Sequence, residues 1–459
     1  MLEDTIAAIS TPPGEGGIGI VRMSGSAAEA IGLATFNFAS RVDKPITHHL
    51  YYGHVINPIN GKIIDEALIS FMRAPHTFTR EDVVEVNCHG GILPLTKTLE
   101  IILAQGARMA TPGEFTQRAF LNGRIDLAQA EAVIQVIRAK TDIAMELGVK
   151  QLVGQLSREV SAIRKPLLTI LAHVEASIDY PEHQDVEELA RDEILRVSIL
   201  CLDKINTLVA TADKGRILRE GIRTAIVGSP NVGKSSLLNV LLGQQRAIVT
   251  DIPGTTRDVL EESLNVGGVA LTIVDTAGIR DTADEIERMG VERSRQALAD
   301  ADLILYVLDV TEEWVPDNEI MRAIGAKPCI IIANKVDLLL SVDILTTLSQ
   351  TVAPKPLVAM SATEMLGLTD LEEAIIQQVF SGSVRAEESI MVTSTRHKNA
   401  LLRTHTALSD VQDAINLGYA VDLIAIDLHS ALEALGEITG ENIGPDLVEE
   451  IFSNFCIGK

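Results

Sequence analysis

The 459-residue chain is 46% apolar, 22% charged and only 3% aromatic, a composition that excludes a disordered polymer and, at this length, a single ordinary core. Its formal net charge of −24 and its scarcity of rings exclude nucleic-acid binding through a broadly basic face or a row of stacking aromatics. Four cysteines, Cys88, Cys201, Cys329 and Cys456, stand far apart without a CxxC pair, which excludes a disulfide framework and a zinc finger.

The acidity is uneven. Residues 1–118 carry 9 basic and 12 acidic side chains, 119–215 carry 11 and 15, 216–384 carry 14 and 24, and 385–459 carry 5 and 12. A polyanion would therefore meet least repulsion at the first two segments. The start, MLEDTIAAIS, has no basic region followed by an apolar run, and no stretch has the roughly 18 apolar residues of a membrane span. A cytoplasmic protein is expected.

Taken in chain order, residues 1–118 mix β-rich runs (IGIVRMSG, EALISFMRAP, DVVEVNCHGG) with a helical run after Pro94, LTKTLEIILAQGA, and read as a small α/β domain. Residues 119–215 turn to helical periodicity in IDLAQAEAVIQVIRAKT, AMELGVKQLVGQLSREVSAI and PLLTILAHVEASIDY. Residues 216–384 alternate strands and helices, with RTAIVG, LTIVDTAG, DLILYVLDV, KPCIIIANKVD and KPLVAMSA as the strands. That alternation predicts a doubly wound, mainly parallel sheet. Residues 385–459 return to helix. The expected fold is multidomain, α/β plus all-α: an N-terminal α/β domain, and a discontinuous helical domain split by an inserted Ras-like P-loop domain.

GSPNVGKS, residues 228–235, lies between a strand and a helix, the context that a phosphate-binding loop requires. Gly228 and Gly233 let backbone N–H groups face phosphate, Lys234 reaches the terminal phosphates, and Ser235 offers a hydroxyl to Mg²⁺. DTAG at 275–278 follows a strand, so Asp275 can hold the magnesium shell through water while the Gly278 amide faces the γ-phosphate. NKVD at 334–337 follows another; Asp337 can accept both donors of the guanine edge, with Asn334 and Lys335 buttressing the base. SAT at 361–363 supplies a backbone contact. TDIPGTTRD at 250–258 sits where a mobile loop must bring a threonine to Mg²⁺, with Thr256 the choice and Thr255 its neighbour.

The ordered set points to a GTPase. Its nucleotide-binding residues are Asn231, Val232, Gly233, Lys234, Ser235 and Ser236; Thr250, Asp251, Ile252, Pro253, Gly254, Thr255 and Thr256; Asp275, Thr276, Ala277 and Gly278; Asn334, Lys335, Val336 and Asp337; and Ser361 with Ala362. Ile279 stands where Ras-like enzymes orient water with glutamine, so another group must do so. Asp281, Asp284, Glu285 and Glu287 are all within reach in sequence. Charge on the β–γ bridge calls for a cation: Arg257, a partner's arginine, or a monovalent ion held at Asn231.

Beyond these motifs, TPPGEGGIGIVRMSG, EDVVEVNCHGG, PGEFTQRAFLNGRIDLAQAEA and the terminal FCIGK resemble the MnmE (TrmE) family of tRNA-modification GTPases along the whole chain. The resemblance implies a potassium-activated GTPase that dimerises through its N-terminal domain. It works with the flavoprotein MnmG to form the 5-carboxymethylaminomethyl or 5-aminomethyl group on the wobble uridine of tRNA. It implies Mg²⁺ at Ser235 and Thr256, K⁺ at Asn231, Thr250, Ile252 and Thr255, and Glu287 as the carboxylate that orients water. It also implies a 5-formyl-tetrahydrofolate or related folate at Arg22, Glu85, Arg124 and Lys459. The flavin belongs to the partner, since GEGGIG has the wrong spacing for a flavin site.

The alternative reading is a ribosome-assembly or signalling GTPase switch without RNA chemistry; it leaves the N-terminal blocks and FCIGK unexplained. An ATPase is disfavoured by NKVD. Cys88, Cys201 and Cys329 read as small buried hydrophobes, and Cys88–His89 is no metal site by itself. Cys456 is a candidate nucleophile for carbon 6 of uridine, although no neighbouring base lowers its pKa.

Overall fold

A computed structural model describes residues 4–179, 184–245, 262–274, 298–312, 321–322, 324–325, 327–339, 343–380 and 390–459. Among these, the N-terminal region forms a sheet of β1 (Ile6–Ile9), β2 (Gly16–Ser24), β3 (Phe36–Phe38), β4 (His49–Ile56), β5 (Ile63–Met72), β6 (Val83–Gly90) and β7 (Arg108–Met109), with α1 (Ala28–Thr35) and α2 (Ile92–Ala104). The strand order is β3-β4-β5-β6-β2-β1-β7. Val21, Met23, Ile69, Val84 and Val86 alternate along their strands to one face, where they meet Ile31 and Ile102 of the helices in one core. β2 and β6 run antiparallel with Arg22 opposite Glu85, which sets two ions of opposite sign side by side.

Helix α2 begins at Ile92, three residues before the start read from the sequence. Pro94 falls in its first turn, where the N–H that proline lacks has no intrahelical partner anyway. The strands β1, β3, β4 and β7 carry weak sequence signals: β1, β3 and β7 are only two to four residues long, and β4, HLYYGHVI, has only two fully buried positions.

The helical part comprises α3 (Glu114–Leu121), α4 (Leu127–Arg138), α5 (Asp142–Leu152), α6 (Gln155–Asp179), α7 (Gln184–Glu220), and, far along the chain, α11 (Thr395–Asn416), α12 (Val421–Thr439) and α13 (Pro445–Ser453). Asp126 caps α4 in a capping box with Gln129, which fixes where that helix starts. Val160, Ile163 and Leu167 of α6, Ile205 of α7, Leu401 and Leu408 of α11, and Leu428 and Leu435 of α12 share one core. The two separated stretches therefore bury a common apolar interior, as a helical domain interrupted by an insertion must.

The insertion contains β8 (Ile222–Val227), α8 (Lys234–Gln245), β9 (Glu262–Val266), β10 (Val269–Val274), β11 (Leu303–Asp309), β12 (Cys329–Asn334), α9 (Asp343–Val352), β13 (Leu357–Ala359) and α10 (Leu368–Phe380). Its order is β13-β12-β11-β8-β10-β9. Neighbours are parallel except β9, which pairs antiparallel with β10. Every residue of β11 and of β12 is buried, as strands covered on both faces require. β9 was not foreseen; its sequence ESLNV mixes polar and apolar residues in so short a span.

Candidate functional site

The described nucleotide motifs gather at the carboxyl ends of the parallel strands, where doubly wound sheets bind ligands. The phosphate loop leaves β8 and ends in α8. Gly233 has φ +99°, and a Cβ there would lie 2.2 Å from Asn334 Nδ2, so only glycine fits between loop and neighbour. Asn231 also adopts a left-handed conformation, φ +64°, which asparagine tolerates better than most residues. Lys234 Nζ donates to the Gly228 and Ser229 carbonyls at 2.9 and 2.8 Å, and burial lowers the ammonium's pKa. The lysine thus rests folded over its own loop. Ser235 and Ser236 are exposed in the first turn of α8.

Asn334, at the buried end of β12, ties two loops together. Its Nδ2 donates to the Val232 carbonyl at 2.8 Å and its Oδ1 accepts from Ala362 N at 3.1 Å. Ser361 Oγ lies 3.1 Å from Thr363 Oγ1 and accepts from Glu364 N. Lys335, at φ +68°, precedes the short turn Val336–Leu338 and pairs through Nζ with Asp309 Oδ2. Burial would raise the Asp309 carboxyl, but hydrogen bonds from Lys335 and Thr311 hold it below its ordinary value. Asp337 is exposed beside them. Asp309 and Thr311 escaped the sequence reading; the available signal was an aspartate ending a fully apolar strand.

Thr250, Asp251, Ile252, Pro253, Gly254, Thr255, Thr256, Asp275, Thr276, Ala277, Gly278 and Glu287 lie outside the described residues, as do Arg257, Asp281, Asp284 and Glu285.

A second constellation joins the N-terminal sheet to the chain's last residues. Arg22 Nε donates to Glu85 Oε1 at 2.7 Å and Nη1 to the Gly458 carbonyl at 3.2 Å; its guanidinium lies 5.8 Å from the Phe115 ring centroid. Gly458, at φ +89°, passes so close to β1 that a Cβ would sit 2.5 Å from the Ile9 carbonyl oxygen. Gly113 N donates to the Cys456 carbonyl at 3.3 Å, and Phe452 and Phe455 pack with Phe120 and Leu127. Arg22, Glu85 and the tail ending in Lys459 are thereby brought together. Arg124 stands apart over Phe78, 5.0 Å from its centroid, and Phe78 packs against the cluster containing Phe115.

Cys88, Cys201 and Cys329 are buried and Cys456 is exposed, all as free thiols. Burial pushes each of the first three up to about 11, which makes them inert near neutral pH. Among the described residues no cluster of His, Cys, Asp or Glu could hold a metal ion, and no helix is long and apolar enough to cross a membrane.

The sequence model described as "MnmE helical domain" matches residues 127–456, and that of "GTP-binding protein TrmE N-terminus" matches residues 5–124. The chain is 48% identical over 463 residues to a "tRNA modification GTPase MnmE" of Alkaliphilus oremlandii, covering 100% of each sequence. It is 49% identical over 462 residues, again 100% of each, to the protein of that name from Thermoanaerobacter pseudethanolicus. With that of Geobacillus thermodenitrificans the identity is 50% over 461 residues, 99% of each. Motif order, architecture and end-to-end similarity agree: the chain belongs to the MnmE family of tRNA modification GTPases.

Proposed function

We propose that the chain hydrolyses GTP in a potassium-activated cycle and, with the flavoprotein MnmG, installs the carboxymethylaminomethyl or aminomethyl group on the wobble uridine of tRNA. The observation that carries the nucleotide half is the Asn334 bridge, which ties the phosphate loop at Val232 to the base-reading loop at Ala362. One side chain thus sets the spacing between a triphosphate and a base.

In this reading Lys234 leaves its loop carbonyls for the phosphates, and the Asp337 carboxylate reads guanine while Lys335, aligned by Asp309, flanks it. Ser235, exposed at the N-terminus of α8, fits a Mg²⁺ ligand, with Thr256 as the second. Asn231, exposed on the loop, fits a K⁺ ligand, with Thr250, Ile252 and Thr255. When bound, the two ions neutralise charge on the phosphates. Glu287 orients the attacking water. Arg22 and Glu85, under the tail that carries Lys459, suit a folate, whose head offers donors and whose glutamate is anionic. Homodimerisation and cytoplasmic location complete the proposal.

GTP turnover in potassium and in sodium buffer, for wild type and Glu287→Ala, tests the cycle. Turnover should fall steeply in sodium and in the variant; equal rates in both salts would reject cation activation. Nucleoside analysis of tRNA from a deletion strain should lack the 5-substituted uridine, and a normal profile would reject the role in modification.

A further inference from the structure

The N-terminal region has seven arginines up to residue 124. Five of them are neutralised: Arg22 by Glu85, Arg41 by Asp43, Arg73 by Glu29, Arg108 by Asp4 and Glu114, and Arg118 by Asp4, Glu81 and Glu114. Arg80 and Arg124 instead donate to backbone carbonyls, of Asn122 at 2.9 Å and Phe78 at 3.2 Å. Both line the same cavity of about 500 Å³, together with His48, His76 and Phe78, and no aspartate or glutamate lines it.

Two of those lining residues, His48 and Arg80, adopt left-handed backbone conformations, φ 60° and 59°. Such strain in non-glycine residues gathers at ligand clamps. Each arginine commits a single N–H to its carbonyl, so most of each guanidinium fork is left for a ligand. The volume is that of a small-ligand pocket.

Arg124 connects this cavity to the Arg22–Glu85 site. It stacks on Phe78, Phe78 packs against the buried cluster that contains Phe115, and Arg22 lies over Phe115. The polar pair beneath the tail and the cavity that holds the two arginines thus flank one small apolar cluster.

We propose that this cavity binds the γ-linked glutamate chain of a folate whose head lies at Arg22 and Glu85, with Arg80 as a carboxylate clamp that selects polyglutamylated over monoglutamylated folate. This rests on the folate reading of that site. Guanidinium forks pair with carboxylates in a bidentate manner, and a chain of two or more γ-glutamates presents the run of carboxylates that two arginines match.

The test is calorimetric titration of the full-length protein with 5-formyl-tetrahydrofolate carrying one or three glutamates, read as the ratio of the two affinities. A fraction of misfolded protein leaves that ratio unchanged. The triglutamate should bind about 10-fold tighter to wild type, one bidentate pair at an exposed site. Arg80→Asn, a residue that tolerates the left-handed backbone, should bring the ratio close to one, and Arg80→Lys should give an intermediate value. Monoglutamate binding with no gain for the triglutamate overturns this proposal and leaves the folate reading standing. Failure of both to bind overturns the folate reading and the proposal with it. An unchanged ratio in Arg80→Asn, with weakened tRNA binding, reassigns the cavity to a phosphodiester and also overturns it.

Discussion

At the scale of single residues, the most consequential side chains each settle a conflict between burial and polarity. Asn334 is buried with both amide atoms satisfied by two different loops. Asn334→Ala leaves the Val232 carbonyl and the Ala362 N–H without partners, at about 1–3 kcal/mol for each group. Urea denaturation should show that loss, and GTP affinity should fall with it. Lys234→Ala should weaken GTP binding by about 10- to 100-fold, the worth of a charge-assisted hydrogen bond of about 1.5–3 kcal/mol, measured with a fluorescent GTP analogue. The cysteines divide by exposure. In native protein a thiol reagent should modify Cys456 and spare Cys88, Cys201 and Cys329, whereas all four react in denaturant. Modification of the three buried thiols in native protein would show that β6, α7 and β12 open readily. The sequence distinguished Cys456 only by its position; its exposure depends on the tail lying over β1 with the thiol outward.

At the scale of elements, α4 joins parts far apart in sequence. Its Glu131 pairs with Arg396 Nε at 2.8 Å and with His397 Nε2 at 2.9 Å, both at the start of α11, while its Arg138 donates to the Asn454 carbonyl in the tail. Burial alone would raise the Glu131 carboxyl, but His397 and Arg396 more than offset it and hold it well below the carboxylate range. Burial, aided by Arg396, lowers the pKa of His397 against the pull of Glu131. Both folded-state values lie below those of the unfolded chain. On acidification the unfolded state therefore takes up protons first, His397 below about pH 6.5 and Glu131 below about pH 4.5. Stability should fall progressively as pH drops from 7 to 4. Glu131→Gln should remove the part of that loss below about pH 4.5, which belongs to the carboxylate, while costing about 1–3 kcal/mol at neutral pH, because the half-buried Arg396 loses its counter-ion. An unchanged urea midpoint in the variant would contradict the pairing. Periodicity identified α4 as a helix, but helical spacing says nothing about which distant residues meet it.

At the scale of the whole molecule, the chain's last residues complete a surface made by its first domain. Gly458→Ala would place a Cβ against the Ile9 carbonyl in a backbone conformation unfavourable to alanine. The tail should detach: hydrogen exchange at 452–459 should rise, and, on the folate binding proposed above, folate affinity should fall although Arg22 and Glu85 are untouched. Protection unchanged from wild type would mean the tail is held by Phe452 and Phe455 alone. The contact that joins the tail to Arg22 is the hydrogen bond from its Nη1 to the Gly458 carbonyl.

The sequence by itself determined what is local. Strand-and-helix alternation, the glycines of the phosphate loop and the order of GSPNVGKS, NKVD and SAT all follow from periodicity and backbone chemistry within a few residues. The arginines illustrate the remainder. Arg22, Arg80, Arg118 and Arg124 are alike as letters, yet one is buried among three carboxylates, one is paired across two strands, and two are left to line a cavity. Pairing, burial and the meeting of the tail with β1 join residues up to 436 positions apart. Only the tertiary fold could decide these, because a charge is neutralised or left available by whatever lies beside it in space.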